Sequence, residues 1–279
     1  MSERSAIVAI DRAEVARAAR DLAYDDYLSA LLAPRDGQDD LIAVAALFGE
    51  LARIPLTVSD ATLGEIRLQW WRDALSSTAR TGHPVADAAA ALAPRLNAPL
   101  IDVVSPALEA YAAELYAEPF HSNEAFLAYV TAVPNCAFAL RASILGTSDV
   151  LSDPIVTDTA RTLGLVRTCV RMPQLLAKGR TPLSAEDLPA ETADGGHESA
   201  LRTALSHQIR QAADDWAGLR PRLRSAKPDL RRVLLPAALS GPYLHAIQRV
   251  DRDVLRDVGD PSPLVCATRL WLAARLGRF

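Results

Sequence analysis

The sequence predicts an all-α fold, and three observations support this prediction. Half of the 279 residues are hydrophobic but only 5% are aromatic, and alanine and leucine are more frequent than the β-branched and aromatic residues that strands favour. The sequence has no alternating polar and apolar stretches bounded by hairpin turns. Apolar residues instead recur at helical spacing between prolines and glycines, which predicts a helical bundle in a single domain, residues 1–279.

Proline, glycine and capping residues mark the ends of the predicted helices in the first part of the chain. We expect residues 1–20 to be solvated and less ordered than the rest. The three predicted helices are residues 12–33, stopped by Pro34 and the Asp36-Gly37 turn; residues 38–54, ended by Pro55; and residues 59–80, capped by Ser59.

Serine and aspartate caps mark the starts of later helices, because each is followed by proline or by good helix formers. Pro134 and Pro173 lie inside helical patterns, so we expect a kink or a break there rather than a loop. The segment 179–197 is predicted to be a long loop over one end of the bundle. The cap candidates are Ser105, Ser122 and Asp153, and the last three helical patterns are residues 198–219, a pattern starting at 229, and residues 263–276.

The net charge and the cysteines narrow the classes of function. The chain has 30 basic and 34 acidic residues and a formal net charge of −4, so no global attraction to nucleic acid is predicted. The three cysteines are widely separated and lack metal-ligand spacing, which is typical of buried thiols in a reducing cytosol. No apolar run reaches the roughly 20 residues that span a bilayer. We predict a cytoplasmic protein, with peripheral contact at the inner face of the membrane left open.

The stretch 63–73, Leu-Gly-Glu-Ile-Arg-Leu-Gln-Trp-Trp-Arg-Asp, is the most informative in the chain. Drawn as a helix, it has a broad apolar arc opposite a polar face. Arg67 falls within that arc, flanked by two indoles. It is therefore either a structural residue that stacks on Trp70 or Trp71, or a contact for a ligand anion. The predicted arc consists of Leu63, Ile66, Trp70, Trp71, Ala74 and Leu75.

Several segments spread over nearly the whole chain are typical of one known family: Tyr24 through Phe48, residues 63–73, Leu163-Gly164, Gly179-Arg180 and Leu270-Trp271. In their order they resemble the squalene/phytoene synthase family. The resemblance implies an all-α isoprenoid synthase fold with a central cavity. In active members, two D-x-x-x-D helices hold magnesium ions against a prenyl diphosphate. Magnesium suits this role because it prefers carboxylate and phosphate oxygens and neutralises the leaving group.

Neither metal-binding position implied by the resemblance carries an aspartate pair. After Phe48 the chain reads Gly-Glu-Leu-Ala-Arg-Ile-Pro-Leu-Thr, and after Gly164 it reads Leu-Val-Arg-Thr-Cys-Val-Arg-Met-Pro-Gln-Leu. Arg53, Arg167 and Arg171 would raise the electrostatic cost of binding Mg²⁺. This departure resembles the non-catalytic branch of the family, which includes a mitochondrial complex I assembly factor and its bacterial relatives.

The remaining acidic residues and the histidines do not predict a second metal site. Asp253 and Asp257 form a D-x-x-x-D near the C-terminus, but prolines follow, so a solvated turn is predicted. Asp25 and Asp26 are predicted to lie on a solvated helix face or beside a helix N-terminus. The five histidines have neither metal spacing nor an adjacent nucleophile. We predict no catalytic residue, no metal site and no cofactor.

Three hypotheses about function remain. The first is a pseudoenzyme that acts as an assembly or interaction factor, with respiratory complex I subunits or assembly proteins as partners. The second, compatible with the first, is a protein that binds a prenyl or lipid phosphate without metal. The third is an active prenyl transferase with Mg²⁺ at an atypical site drawn from Glu50, Glu65 or Asp73. The ligand-binding residues predicted by the second hypothesis are Arg53, Arg67, Arg167, Arg171, Trp70 and Trp71.

Overall fold

The computed structural model describes residues 3–77, 79–188, 196–249 and 251–279. These residues form helices and contain no β-strand, only an isolated bridge between Phe120 and Ser184. The all-α prediction is confirmed, whereas the assignment to a single domain stays a prediction. The helices are α1 (Glu3–Leu22), α2 (Tyr24–Leu31), α3 (Arg35–Thr57), α4 (Ala61–Ser76), α5 (Pro84–Ala90), α6 (Leu100–Ala113), α7 (Asn123–Ile144), α8 (Pro154–Leu176), α9 (Gly196–Ser225), α10 (Pro228–Val233), α11 (Ser240–Ile247) and α12 (Pro263–Leu276).

Helix α3 is the centre of the N-terminal half. Helices α1, α2 and α5 pack against it, and its apolar residues from Leu41 to Leu51 are almost all buried. The prediction of one continuous helix over residues 12–33 is wrong. The backbone at Ala23 leaves the helical region (φ −145°, ψ 54°) and separates α1 from α2. Helix α1 begins at Glu3, so residues 3–20 are helical, and the lower order expected of residues 1–20 stays a prediction.

Several glycines and prolines that predicted helix ends lie inside helices. Helix α3 includes Gly37 and continues beyond Pro55, and α6 contains Pro106. Helices α7 and α8 are unbroken at Pro134 and Pro173. A proline removes one backbone N–H donor, but tertiary packing supplies most of the stability of a helix in a protein. Pro55, Pro134 and Pro173 are buried, so packing outweighs the local signal at these three positions.

The predicted caps are partly confirmed. Ser122 and Asp153 cap α7 and α8 by accepting backbone N–H groups of the first turn. Helix α4, however, is capped by Asp60 rather than by Ser59, and it is shorter than predicted. Ser105 lies in the middle of α6 and is not a cap. Each observed cap is an oxygen acceptor placed to satisfy an orphan N–H group of the first turn.

Helices α7 and α8 approach each other closely in the C-terminal half. A Cβ built at Gly164 would lie 1.8 Å from the carbonyl oxygen of Val130, so this crossing requires glycine. Helix α9 packs on α8, and α12 packs on the 3₁₀ turn Leu235–Leu239. The predicted helix 263–276 is confirmed as α12.

One helix of the described residues, α7, has the length and composition of a membrane span, with 22 residues and a mean hydropathy of 1.3. The sequence alone, which has no uninterrupted apolar run of that length, did not predict such a helix. Within the bundle, α7 packs against α6 and α8, and 44% of its most apolar window is buried. The same composition is typical of a helix in the core of a bundle.

The predicted loop 179–197 is tied to the bundle over the part that the structure describes. Phe120 N–H donates to the Leu183 carbonyl at 2.8 Å, and Ala185 N–H donates to the Phe120 carbonyl at 2.7 Å. The buried Arg180 guanidinium donates to the carbonyls of Pro55 and Val58. Residues 189–195 lie outside the described residues, and α9 begins at Gly196.

We expect Gly164→Ala to destabilise the protein by about 1–3 kcal/mol, because the added methyl group must push α8 away from α7. Chemical denaturation of the variant measures this loss. Gly218→Ala is the matched control, because Gly218 lies in α9 with no heavy atom within 4 Å of an added Cβ. The control should be neutral or more stable by up to about 1 kcal/mol. Equal stability of the two variants would contradict the close crossing.

Candidate functional site

A cavity of about 620 Å³ lies at the centre of the bundle, between α2, α3, α6, α7, α8 and α11. Its size is within the range of small-molecule sites in proteins. Most of the lining is apolar, and it includes a small set of charged and hydroxyl side chains from α2, α6, α7, α8, α11 and the segment before α12. These residues are Tyr24, Asp25, Asp26, Tyr111, Glu114, Tyr129, Arg167, Thr168, Arg171, Tyr243 and Asp260.

Helix α3 contributes a neutral wall to the cavity. Gly49 and Ala52 line it, and Gly49 packs closely on the α1–α2 junction, where a Cβ would lie 2.7 Å from the Cβ atom of Leu22. Glu50 is not among the lining residues and forms an ion pair with Arg53 at 3.1 Å. The position at which the family resemblance implies metal-binding aspartates therefore presents small side chains.

Helix α8 contributes two cationic groups to the opposite wall. Arg167 and Arg171 are separated by four residues and therefore share one helix face. The Arg167 Nη2 atom lies 2.7 Å from Oδ1 of Asp26 on α2. The Arg171 Nη2 atom lies 2.6 Å from Oε2 of Glu114, at the end of α6, and also donates to the Ala52 carbonyl at 3.0 Å. Both arginines thus neutralise carboxylates inside the protein.

The Arg171–Glu114 pair is the more deeply buried of the two. The Glu114 side chain is only 3% exposed, and its Oε1 atom accepts a hydrogen bond from the Tyr129 hydroxyl at 2.6 Å. Burial raises the pKa of Glu114, and the charge of Arg171 and the Tyr129 hydroxyl oppose that rise. The Arg171 guanidinium also lies 5.5 Å from the centroid of the Tyr111 ring. Such short, charge-assisted contacts hold the guanidinium in one place.

A second carboxylate pairs with a hydroxyl on the other side of the cavity. The Tyr243 hydroxyl donates to Oδ2 of Asp25 at 2.5 Å. Burial raises the pKa of the Asp25 carboxyl above its usual range, partly opposed by that hydrogen bond. Burial, followed by the charge of Asp25, raises the pKa of the neighbouring Cys266 thiol to about 12. Asp25 is therefore held in an environment that favours its neutral form.

The residues around the cavity do not fit the two-site magnesium clamp of active family members. Across the part of the chain that the structure describes, no three His, Cys, Asp or Glu side chains are grouped to hold a metal ion. Asp26 and Glu114 are each bound to an arginine, and Asp25 to a tyrosine. An added Mg²⁺ would have to displace these partners while lying close to two guanidinium groups.

The structure separates the six predicted ligand-binding residues. Arg167 and Arg171 line the cavity, whereas the other four do not. Arg53 is half exposed and paired with Glu50. The structure does not bring the remaining four residues, Arg53, Arg67, Trp70 and Trp71, to the cavity, and ligand binding by any of the six stays a prediction.

The predicted apolar arc on α4 is confirmed only in part. Leu63, Ile66 and Trp70 are 50%, 61% and 41% exposed, whereas the other three predicted residues are buried. The buried face of α4 consists of Gly64, Leu68, Trp71, Ala74 and Leu75. Gly64 sets this face: a Cβ there would lie 2.4 Å from the Leu115 side chain on the adjacent segment.

Arg67 is neither buried nor bound in the cavity. It is exposed and donates to the Thr57 hydroxyl at 3.3 Å. The two indoles contact each other and His83, with ring centroids 5.1–5.4 Å apart. The contacts of the Trp70-Trp71 pair are therefore aromatic and support the structure of α4 and its neighbouring turn.

The acids of the site were not predicted as cavity residues. Asp25 and Asp26 lie in the first turn of α2, which is one of their two predicted placements, and both also line the cavity. Glu114 is part of no recognised sequence motif, and its partner Arg171 is 57 residues away in the chain. The available signal was indirect: two arginines on the apolar helix α8 require buried acids somewhere in the fold.

Three comparisons place this geometry among known proteins. The family model for squalene/phytoene synthase matches residues 19–265, so the chain belongs to this family, as the sequence predicted. The structure is similar to squalene synthase HpnC from Alicyclobacillus acidocaldarius, with a TM-score of 0.65 and 19% identity, over 88% of this chain and 95% of that chain. At this identity the likeness shows the fold, which is the isoprenoid synthase type.

A second similar protein is named as an assembly factor. The chain is 28% identical over 254 residues to "NADH dehydrogenase (ubiquinone) complex I, assembly factor 6" of Rattus norvegicus, and the match covers 83% of this chain and 72% of the relative. The chain therefore resembles both a squalene synthase in structure and a protein named as an assembly factor in sequence.

We expect Asp25→Asn to raise the melting temperature at neutral pH, because the variant removes a carboxylate that burial disfavours. The raised pKa of Asp25 means that the wild-type protein loses stability as pH rises through it. The difference in melting temperature between the variant and the wild type should therefore shrink as the pH falls towards the ordinary pKa of aspartate. Exposed Asp149→Asn is the control. A variant less stable than wild type at pH 7 would contradict this description.

We expect Arg171→Met to destabilise the protein by about 3 kcal/mol or more, because Glu114 would be left as an unpaired buried charge. The double variant Arg171→Met, Glu114→Gln should recover most of that loss. Urea denaturation of the two single variants, the double variant and the wild type gives the coupling energy. Additive effects would show that the two side chains do not interact.

Proposed function

We propose that this chain is a non-catalytic member of the squalene/phytoene synthase family that acts as an assembly or interaction factor. The observation that carries the proposal is the pair of arginines on α8, each ion-paired inside the cavity with an internal carboxylate. Prenyl transfer in this family needs carboxylates that are free to hold divalent cations. Here the same space holds cations that belong to the protein itself.

The electrostatics of the cavity support the absence of metal-dependent chemistry. Ionisation of an allylic diphosphate needs several positive charges that act together at the leaving group. A Mg²⁺ ion bound near Arg167 and Arg171 would meet repulsion, and removing Asp26 or Glu114 from its arginine would leave a charge unpaired. The arginines cannot replace the metal while they neutralise these carboxylates.

The partners we propose are respiratory complex I subunits or the proteins that assemble them. The support is the 28% identity to a protein named as a complex I assembly factor. We propose a cytoplasmic location, with peripheral contact at the inner face of the membrane.

The active-enzyme hypothesis is supported by the family match and by the fold shared with a squalene synthase, but the atypical metal site that it invoked has no support in the geometry. The three acids that it invoked lie outside the cavity lining. Glu50 is paired with Arg53, Glu65 accepts from the Tyr116 hydroxyl, and Asp73 accepts from the Gln69 amide. A prenyl or lipid phosphate would have only Arg167 and Arg171 as cationic partners, and both are occupied.

The catalytic test uses the purified protein with farnesyl and geranylgeranyl diphosphate, Mg²⁺ and NADPH. We expect mass spectrometry to recover the diphosphates intact, while squalene synthase HpnC in parallel forms product. Condensed hydrocarbon or alcohol made by this protein would overturn the proposal.

The assembly role is tested by deleting the gene in its source organism. We expect a lower amount of assembled complex I on native gels, restored by the wild-type gene, and an unchanged set of squalene and phytoene products. An unchanged amount of complex I in the deletion strain would contradict the assembly role.

A further inference from the structure

The charges that line the central cavity are unequal. Four carboxyl groups face two guanidinium groups, and both guanidinium groups are already ion-paired, at 2.7 Å and 2.6 Å. No other cationic side chain lines the cavity among the residues that the structure describes. The cavity therefore has no positive charge to offer to an incoming anion. The carboxyl groups are those of Asp25, Asp26, Glu114 and Asp260.

A phosphate could enter only by taking an arginine from its carboxylate. If Arg171 turned to a phosphate, Glu114 would remain 3% exposed with a hydroxyl as its remaining partner, and it would repel the new anion. The loss of one partner from a buried ion pair is far more costly than the loss of both. A phosphate that bound Arg167 would likewise leave Asp26 without its cationic partner, although this pair is less deeply buried.

The remainder of the lining suits an apolar chain with an uncharged head group. Phe48, Val133 and Leu163 are among the apolar side chains that surround the free volume. At one side, Asp25 accepts a hydrogen bond from Tyr243, and a carboxyl oxygen has lone pairs for a further donor. A hydroxyl group fits such an acceptor, because it brings a proton and no charge.

We propose that the cavity binds a neutral lipid, a long apolar chain that ends in a hydroxyl group, and that it rejects the same chain when the hydroxyl carries a phosphate or diphosphate. This inference rests on the proposed function in one respect: the cavity carries out no metal-dependent chemistry. The ion pairs Arg167–Asp26 and Arg171–Glu114 are the source of the selectivity. They neutralise the two cationic groups of the cavity, so an anionic head group has no free positive charge to bind and a hydroxyl group is not penalised.

The test compares geranylgeraniol with geranylgeranyl diphosphate, two probes that share one chain and differ in the head group. Isothermal titration calorimetry and native mass spectrometry measure binding to the full-length protein, each with and without Mg²⁺. We expect the alcohol to bind at least about tenfold more tightly than the diphosphate, in both conditions. Equal or tighter binding of the diphosphate would overturn the inference, and so would a failure of both probes to bind.

Glu114→Gln tests the cause of the selectivity, because it frees Arg171 while keeping the size of the side chain. We expect the ratio of the affinity for the alcohol to the affinity for the diphosphate to fall by about tenfold or more. Asp26→Asn frees Arg167 at a more exposed position and provides the same test if the first variant does not fold. Asp229→Asn is the control, because its partner Arg232 is on the surface, 2.9 Å away. An unchanged ratio in a folded variant would show that the ion pairs do not set selectivity.

The outcomes separate this inference from the proposed function. Diphosphate that binds at least as tightly as the alcohol and is recovered intact overturns the neutral-lipid inference alone. Diphosphate that binds with Mg²⁺ and is converted to product overturns the proposed function as well. Binding of the alcohol without turnover of the diphosphate supports both.

Discussion

The ion pair between Arg171 and Glu114 is the constraint on which the centre of this structure depends. It joins α8 to the end of α6, and a second bond from Arg171 to the Ala52 carbonyl joins α8 to α3. Three helices are thus held around one buried charge pair. Because a buried pair tolerates the loss of neither partner, this part of the cavity wall is held in one arrangement, in which Glu114 is bound to an arginine.

Packing places these arginines in the cavity. The close approach of Gly164 to Val130 fixes the distance between α7 and α8, and the helical repeat then puts Arg167 and Arg171 on the side of α8 that faces α2, α3 and α6. Small side chains on α3, at Gly49 and Ala52, leave the central space open. The fold of the family is therefore retained while the chemistry of its central surface differs.

The sequence was sufficient for the fold class and the family, because helix punctuation, composition and the order of motifs agreed. It was insufficient where local and tertiary effects oppose each other. Pro55 and Pro173 lie inside helices that packing maintains, and α4 buries the Trp71 face because Gly64 meets Leu115. The acids of the site were missed because Arg167 and Asp26 are 141 residues apart, and no local pattern encodes such a pairing.

The central claim is that internal ion pairs bind two carboxylates of the cavity, Asp26 and Glu114, so that neither is available to a metal ion. The most direct measurement is a crystal structure of the protein grown with Mn²⁺, which replaces Mg²⁺ and is located by its anomalous scattering. The account predicts no manganese in the cavity and intact Arg167–Asp26 and Arg171–Glu114 pairs. Manganese bound by Asp26 or Glu114, with its arginine displaced, would contradict the account.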